Sequence, residues 1–381
     1  KVLGSEYEIP LGKDVSRGRG KAKVTVWEPS LSPLSTNAGR AALIAAFKDA
    51  GAEHYPLTAG GALATSSDAL GDGFYFIGKG KDARKVPGML RVYGGNPEVR
   101  RICELVATVT GATAKYAEIA KYVVGGRVHP GIGEDQASGR WAMTRPSVTN
   151  LGKRGGKVVQ RAVFLPEEGH VILAADFSQV DMRAIAGHCQ DPGYMELFAP
   201  GRDVHAEIAA TVGVTREAAK PIGHGWNYNR GVRAIAEANG IPLEIVERFD
   251  REMTSQFPRL IGWRKEVQEQ GAAGMLLDNG FGRLMRCDPS RAYTQAPALM
   301  GQGAARDIMT EGLLRMVERL PQIRSMFRVV VHDEIVLSVP EDRAAEVAEV
   351  LRDAMTFEWR GVPILADVSA PGANWAAAYS K

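Results

Sequence analysis

The chain has 381 residues, of which 45% are hydrophobic and 24% are charged, and its formal net charge at pH 7 is +3. This length allows two or three structural units, and the hydrophobic share excludes a disordered chain. The small net charge means that composition alone does not identify a nucleic-acid-binding protein. Any basic surface must therefore come from the arrangement of Lys and Arg.

Cysteine usage and the lack of long apolar runs narrow the class further. Cys103, Cys189 and Cys287 form no CxxC pair, which argues against a zinc site and against a disulfide framework. No apolar run approaches the roughly 18 residues of a membrane span, and no signal peptide opens the chain. We therefore expect a cytoplasmic protein without membrane contact. Because the first residue is Lys1 rather than Met, we expect a fragment or a processed chain.

The first third of the chain contains two helical patterns, Ala38 to Ala50 and Pro97 to Val123. The second places apolar residues at three- and four-residue spacing, which is typical of a helix with one buried face: Val99, Ile102, Val106 and Val109. The basic stretch Ser16–Lys23 is interpreted as a solvated arm, with DNA contact as the alternative. Residues 51–96 yield no prediction. We expect loops and short strands from Gly125 to Asn150.

The middle of the chain opens with an apolar run that ends in an acid, His170 to Asp176. Such a run predicts a strand that is buried on both faces. A helix is predicted directly after it, from Gln179 to His188. The segment Thr215 to Asn239 is also predicted to be helical, with Thr215 as its N-cap.

The C-terminal part predicts a helix, a hairpin and a second helix. The helix covers Ala304 to Arg319, and the last helix covers Arg343 to Phe357. Between them, Arg328 to Val339 consists of two β-branched runs around a short polar centre, which is typical of a hairpin.

Two acids stand where predicted strands end or turn: Asp176 follows the apolar strand and Asp333 lies at the hairpin. Either one alone is most simply a turn or cap residue. Together, "DFSQVDMR" from Asp176 and "VHDE" ending at Glu334 resemble the first and third motifs of family A, DNA polymerase I-like enzymes. The resemblance implies that Asp176 and Asp333 bind two catalytic Mg²⁺ ions, with Mn²⁺ as an alternative metal and Glu334 as an accompanying catalytic acid.

A basic and aromatic helix face is predicted by residues spaced four apart: Arg216, Lys220, His224 and Tyr228. Two cations and two rings suit a nucleoside triphosphate, although a solvated basic helix with Tyr228 in the core has the same pattern. The segment resembles the second motif of the same family. The resemblance implies that Arg216 and catalytic Lys220 contact the triphosphate, that His224 belongs to the nucleotide site and that Tyr228 lies beneath the template-primer end.

Three positions depart from this second motif. His224 replaces the usual Phe or Tyr, and Asn229 replaces a Gly. Pro221 lies inside the helix, where we expect a kink or a late helix start. In the first motif, Gln179 and Asp181 flank the first acid and are expected at the nucleotide. Because Asp181 stands where the family usually has Glu, one methylene longer, we expect weaker rejection of ribonucleotides.

Further matches imply contacts with primer-template DNA. The segment Ala137 to Leu151 resembles a family stretch that contacts the minor groove or primer backbone, and Arg291 to Ile308 resembles a DNA-contacting helix. The residues assigned to DNA by the resemblance are Arg140, Thr149, Asn150, Arg183, Arg291, Gln295, Gln302 and His332. A basic loop, Gly152 to Lys157, is expected either to touch phosphates or to be a solvated hairpin tip.

The resemblance implies an α+β fold of the right-hand polymerase type, with an antiparallel palm sheet, helical fingers and a partial thumb. We assign residues 1–124 to the N-terminal region or partial thumb, 125–190 to the palm, 191–289 to the fingers and 290–381 to the rest of the palm. The expected activity is template-directed DNA synthesis from deoxynucleoside triphosphates, without proofreading in this chain.

Two other functions stay open at this point. One is a catalytically silent DNA-binding scaffold, and the other is a ribonucleotide-tolerant or RNA-copying polymerase. We expect a monomer in a bacterial or phage-infected cytosol, together with an upstream nuclease domain or a processivity factor.

Overall fold

The structure is a computed structural model that describes residues 12–17, 24–29, 34, 36–78, 83–152 and 160–379. It divides into two compact units, the first formed by Lys1–Pro130 and Leu151–Arg161, the second by Gly131–Asn150 and Ala162–Lys381. The four segments assigned from the sequence stay a prediction. Most of the basic stretch Ser16–Lys23 and of the basic loop Gly152–Lys157 lies outside the described residues.

The first unit is built from short antiparallel hairpins and helices. Its elements in chain order are β1 (Gly12–Arg17), β2 (Val24–Pro29), α1 (Asn37–Asp49), α2 (Ser67–Leu70), β3 (Phe74–Ile77), β4 (Arg84–Pro87), α3 (Met89–Tyr93), α4 (Pro97–Ala120), β5 (Val123–Val124) and β6 (Arg127–Val128).

The core of this unit follows the predicted helical spacing. Val99, Ile102 and Val106 of α4 are fully buried and pack in one cluster with Leu43 and Phe47 of α1. The two predicted helices are thus confirmed. Helix α4 ends at Ala120, before the predicted Val123, because the chain turns there into the β5–β6 hairpin.

The second unit contains a mixed set of strands and helices. Its elements are β7 (Gly131–Gly133), β8 (Ala142–Thr144), β9 (His170–Phe177), α5 (Val180–Cys189), α6 (Pro192–Glu196), α7 (Val204–Val212), α8 (Arg216–Asn227), α9 (Val232–Asn239), α10 (Leu243–Gln256), α11 (Pro258–Ala272), β10 (Leu276–Asp278), β11 (Leu284–Arg286), α12 (Ala292–Arg319), α13 (Ile323–Met326), β12 (Phe327–Val331), β13 (Glu334–Pro340), α14 (Ala344–Ala354), β14 (Phe357–Trp359), β15 (Val362–Ile364) and β16 (Ala366–Val368).

A four-stranded antiparallel sheet of order β12-β13-β9-β16 lies at the centre of this unit. Strand β9 is buried continuously from Ile172 to Ala175, as its apolar run predicts. Leu173 and Leu337 of the sheet share one core with Ile308 of α12 and Leu351 of α14. The α+β class with an antiparallel sheet is therefore confirmed.

A second core lies among the helices between β9 and β10. It contains large rings that are buried completely or almost completely: Tyr194, Phe198, Trp226, Phe249 and Phe257. These rings come from three helices and from the connections next to them, so burial of their apolar surface holds the helical layer together. No helix among the described residues is both long and apolar enough to cross a membrane.

Three helix predictions need correction. Helix α12 begins at Ala292 rather than Ala304. The segment Thr215 to Asn239 is two helices, separated at Asn229, whose φ of 56° lies in the left-handed region. Asn tolerates that region better than most residues, so it can stand where the family has Gly. Helix α8 begins at Arg216 with Pro221 inside it, so the late start is wrong.

Candidate active site

Strand pairing brings the two predicted acids to one edge of the central sheet. Asp176 at the end of β9 lies directly opposite Glu334, the first residue of β13. Val331 pairs with Glu334, so His332 and Asp333 form the two-residue turn, with His332 at a φ of 60°. The Phe177 N–H donates to the Asp333 carbonyl oxygen at 3.0 Å. Asp176 and Asp333 therefore occupy neighbouring positions although they are remote in sequence.

Glu334 is the most enclosed acid of this edge. Its side chain is 1% exposed, and its Oε1 accepts hydrogen bonds from Trp375 Nε1 at 3.0 Å and from the Tyr379 hydroxyl. Residues directly opposite each other in an antiparallel pair project on the same face, so Glu334 and Asp176 share a sheet face. Its carboxylate is thus anchored by the C-terminal segment beside the predicted catalytic pair.

The donor set at this edge fits Mg²⁺. Asp176 and Asp333 are both half-buried carboxylates, and Mg²⁺ prefers oxygen ligands. Among the residues that the structure describes, no three His, Cys, Asp or Glu side chains form a metal-binding group. A Mg²⁺ site needs no such group, because it typically uses one or two carboxylates with waters and substrate phosphates.

A second cluster joins four of the predicted residues. Asp181, in the first turn of α5, accepts from Arg140 Nη2 through one oxygen and from the Tyr228 hydroxyl through the other, at 2.5 Å for the latter. Gln302 of α12 also hydrogen-bonds Tyr228. Burial and the Asp181 charge hold the pKa of Tyr228 well above its usual range. The phenol is therefore neutral and donates.

Gln179 shapes the entry into α5 through its backbone. Its φ of 54° and ψ of 34° place it in the left-handed region, and its carbonyl accepts from the N–H groups of Met182 and Arg183 at 3.0 Å. This turn lets α5 begin soon after β9, the strand that carries Asp176. It thereby positions Asp181, which lies in the first turn of α5.

Helix α8 begins as the sequence predicts. Thr215 accepts a hydrogen bond from the Ala218 N–H at 3.3 Å, which satisfies one of the free donors of the first turn. Arg216 is 52% exposed, and its Nε donates to Asp203 Oδ2 at 2.6 Å. Asp203 also caps α7 through its other oxygen. One predicted triphosphate ligand is therefore ion-paired in this structure.

His205, in the first turn of α7, is a member of this basic cluster that sequence reasoning missed. Its ring centroid lies 5.7 Å from that of His224, and it is 2% exposed. Burial, reinforced by the nearby His224 and Lys220, lowers the pKa of His205 to about 4. Its buried Nδ1 has no hydrogen-bond partner among the described residues. A single His at a helix start is a weak signal, so only the packing of α7 against α8 reveals it.

The burial of Arg183 argues against its predicted role in DNA binding. It is 2% exposed, and its guanidinium donates to the backbone carbonyls of Ser178 at 2.9 Å, Phe198 at 2.8 Å and Pro363 at 2.6 Å. Burial lowers its pKa to about 10. Arg183 therefore ties α5 to its neighbours, and little of its side chain is left exposed for a phosphate.

The remaining predicted DNA contacts lie on three separate segments of the chain, and one of them, His332, stands next to Asp333 in the hairpin turn. Arg291 is exposed at the start of α12, His332 is exposed in the hairpin turn, and Asn150 is exposed in a 3₁₀ turn that also contains Thr149. Gln295 uses its Oε1 to accept from the Asp288 N–H at 2.8 Å, so that oxygen already has a structural partner. DNA binding by these residues stays a prediction.

Comparison with known proteins agrees with this arrangement. The family model described as DNA polymerase family A matches residues 97–377. The thermostable DNA polymerase I of Thermus aquaticus is 29% identical over 276 residues, covering 66% of this chain and 33% of that protein. The same enzyme from Thermus filiformis is 30% identical over 273 residues, covering 66% of this chain and 32% of that protein. The chain spans about a third of the length of these relatives.

A solved structure shares the fold. It is the POL domain of Pol1 from M. smegmatis in complex with a DNA primer-template and a dNTP. The match has a TM-score of 0.71 at 20% sequence identity and covers 90% of this chain and 66% of that one. With the acid-bearing antiparallel sheet, the adjoining basic helix and a family match over most of its length, the chain belongs to DNA polymerase family A.

Proposed function

We propose that this chain is the polymerising part of a template-directed DNA polymerase, which adds deoxynucleotides to a primer 3′ end by nucleotidyl transfer. The observation that carries the proposal is the strand register that sets Asp176 beside the Asp333 turn. The family membership supports it, as do the relatives named DNA polymerase I and a structural neighbour solved with primer-template and dNTP.

Asp176 and Asp333 are the residues proposed to hold two Mg²⁺ ions. When bound there, such ions would supply activation of the attacking hydroxyl and stabilisation of the leaving phosphate oxygens. Glu334 is proposed to position this edge rather than to react, because its carboxylate is buried and accepts from Trp375 and Tyr379.

The basic cluster of α7 and α8 is proposed to bind the triphosphate. Arg216 and Lys220 supply positive donors, and His205 lies near enough to both that their charges help to lower its pKa, which supports a common site. Lys220 is the proposed catalytic cation, which stabilises charge that develops on the leaving pyrophosphate. His224 follows on the same helix, and its ring lies against His205.

The cluster around Asp181 is proposed to hold the sugar and the primer end. Arg140 and Tyr228 both bind the Asp181 carboxylate, and Gln302 binds Tyr228. Gln179 is proposed to line the nucleotide site through the turn that it forms before α5. Contacts of Thr149, Asn150, Arg291, Gln295 and His332 with the DNA backbone are proposed as extensions of this site.

Primer extension in Mg²⁺ tests the proposal. We compare the parent with Asp176→Ala, Asp333→Ala and the control Asp353→Ala, which changes an exposed acid of α14. The first two variants lose several kcal/mol of transition-state stabilisation, so we expect their extension rate to fall by about three orders of magnitude. The control should extend the primer at the parent rate. Equal extension by all four proteins would overturn the proposed role of the two acids. If the parent protein bound primer-template without extending the primer, the chain would be a silent scaffold.

The expected lack of proofreading stays a prediction. It is checked by incubating the chain with a mismatched primer-template in Mg²⁺ without nucleotides. The primer keeps its length if the chain has no nuclease activity.

A further inference from the structure

The β3–β4 hairpin of the first unit presents an aromatic face that the active site does not explain. In its antiparallel register Phe74 pairs with Pro87 and Phe76 pairs with Lys85. Directly opposed residues project on the same face, so Phe74, Phe76 and Lys85 share one side of the hairpin. Phe76 is 64% exposed and Phe74 is 38% exposed. The hairpin therefore offers large rings to solvent.

The opposite face of the hairpin accounts for its folding. Tyr75 alternates with the two phenylalanines, is 8% exposed and accepts a hydrogen bond from the Leu57 N–H at 3.2 Å through its hydroxyl. A strand with one buried face normally carries polar residues on the other. Phe74 and Phe76 break that pattern, because both are exposed and neither fills a core of the described residues.

Two cations stand over the first of these rings. Lys85 Nζ lies 4.2 Å from the Phe74 ring centroid, and the Arg91 guanidinium carbon lies 4.3 Å from it. Such contacts position long side chains at a modest energetic gain. Arg91 Nη1 also donates to the Asp72 carbonyl oxygen at 3.4 Å, and both side chains are exposed. Among the described residues no ion pair to a carboxylate engages Lys85 or Arg91. Phe76 is thus an exposed ring beside two positive charges.

We propose that this face of the β3–β4 hairpin binds single-stranded DNA, with bases stacked on Phe76 and backbone phosphates on Lys85 and Arg91. A ring flanked by cations fits that ligand, because every base has a flat apolar face and every nucleotide carries one negative charge. The hairpin precedes the residues that the family model matches, 97–377. It does not depend on the proposed catalytic site.

Fluorescence anisotropy with a labelled oligodeoxythymidylate and the full chain tests this proposal. Phe76→Ala raises the Kd about 5- to 150-fold, since base-aromatic stacking contributes about 1–3 kcal/mol per base, and Phe76→Trp retains the parent Kd. The double change Lys85→Glu and Arg91→Glu reduces the slope of log K against log salt by about one or more. Val92→Ala removes another exposed apolar side chain, 52% exposed on α3, and leaves the Kd unchanged.

Parent-like Kd and salt slope in both the Phe76→Ala and the charge-reversed variants would overturn the proposal. If these variants lost binding to anionic phospholipid vesicles while their DNA binding stayed unchanged, the proposal would also be overturned, and the hairpin face would be a membrane-binding surface. Asp176→Ala leaves this hairpin intact. We therefore expect Phe76→Ala to weaken single-stranded DNA binding by the same factor in the Asp176→Ala protein as in the parent. Failure of the hairpin site is therefore separable from failure of the polymerase.

Discussion

The Tyr228 hydroxyl donates to Asp181 Oδ2 across 2.5 Å and so joins the end of α8 to the first turn of α5. Asp181 lies in the helix that follows β9, the strand that carries Asp176. The helix proposed to bind the nucleotide and the strand proposed to bind metal are thus linked through one carboxylate. Any change in that carboxylate should alter both sugar recognition and the position of α8.

Lengthening this carboxylate should sharpen sugar selection. Asp181→Glu adds the methylene that the family usually has, and one methylene against a substrate contributes about 1–3 kcal/mol of discrimination. We expect the ratio of kcat/KM for a deoxynucleotide to that for the matching ribonucleotide to rise about tenfold or more. Asp181→Asn is the control, because it keeps the length of the parent side chain and removes only its charge. Equal ratios for the parent and Asp181→Glu would refute weakened selection, and an RNA template run in parallel tests for RNA copying.

Releasing Arg216 from its ion pair should tighten nucleotide binding. Asp203→Asn keeps an oxygen that can cap α7 but removes the charge that holds Arg216 Nε at 2.6 Å. Exposed ion pairs contribute about 0.2–1 kcal/mol, so the nucleotide Kd should fall by up to about fivefold. Asp203→Ala, which also loses the cap, separates the two effects. A higher nucleotide Kd in the Asp203→Asn variant would exclude competition between Asp203 and the triphosphate for Arg216.

Removing the buried guanidinium of Arg183 should destabilise the second unit. Arg183→Ala leaves the carbonyls of Ser178, Phe198 and Pro363 without this donor, which costs about 3–5 kcal/mol in the free energy of unfolding. The control Arg352→Ala removes an exposed Arg that pairs with Glu349 and should change stability by less than about 0.5 kcal/mol. Urea unfolding measures both. A stable Arg183→Ala protein with weakened DNA binding would restore the DNA-contact assignment.

Acid should destabilise the fold through His188. Burial, with a smaller contribution from Arg360, lowers the pKa of His188 from 6.5 to about 4. The unfolded chain therefore binds this proton near pH 6.5 and the folded chain only near pH 4. Stability is full above about pH 6.5 and falls as the pH drops towards about 4, by an amount on the order of 1–3 kcal/mol.

His188→Phe isolates this effect. Phe cannot be protonated but can keep the stacked contact with Trp263, whose ring centroid lies 5.9 Å away. The free energy of unfolding of this variant should vary less between pH 4 and 6.5 than that of the parent, as measured by urea titrations at fixed pH. The same slope in both proteins would show that His188 does not contribute.

Local signals in the sequence predicted the elements that carry the candidate site. The apolar run before Asp176, the β-branched runs around Asp333 and the Thr215 cap each depend on neighbouring residues, and the structure confirms each of them. The start of α12 was predicted too late, because the turns between Ala292 and Ala304 contain Pro and Gly, which weaken the helical pattern without ending the helix.

Outside residues 51–96, the sequence by itself determined most element types, the antiparallel hairpin and the residue kinds of a phosphate- and metal-binding site, because these follow from short-range periodicity and motif spacing. Only the tertiary structure decided which side chains meet. It buried Arg183 against backbone carbonyls, brought His205 to His224 and anchored Glu334 with Trp375. Burial and long-range hydrogen bonds depend on the packing of distant segments, and no local pattern specifies that packing.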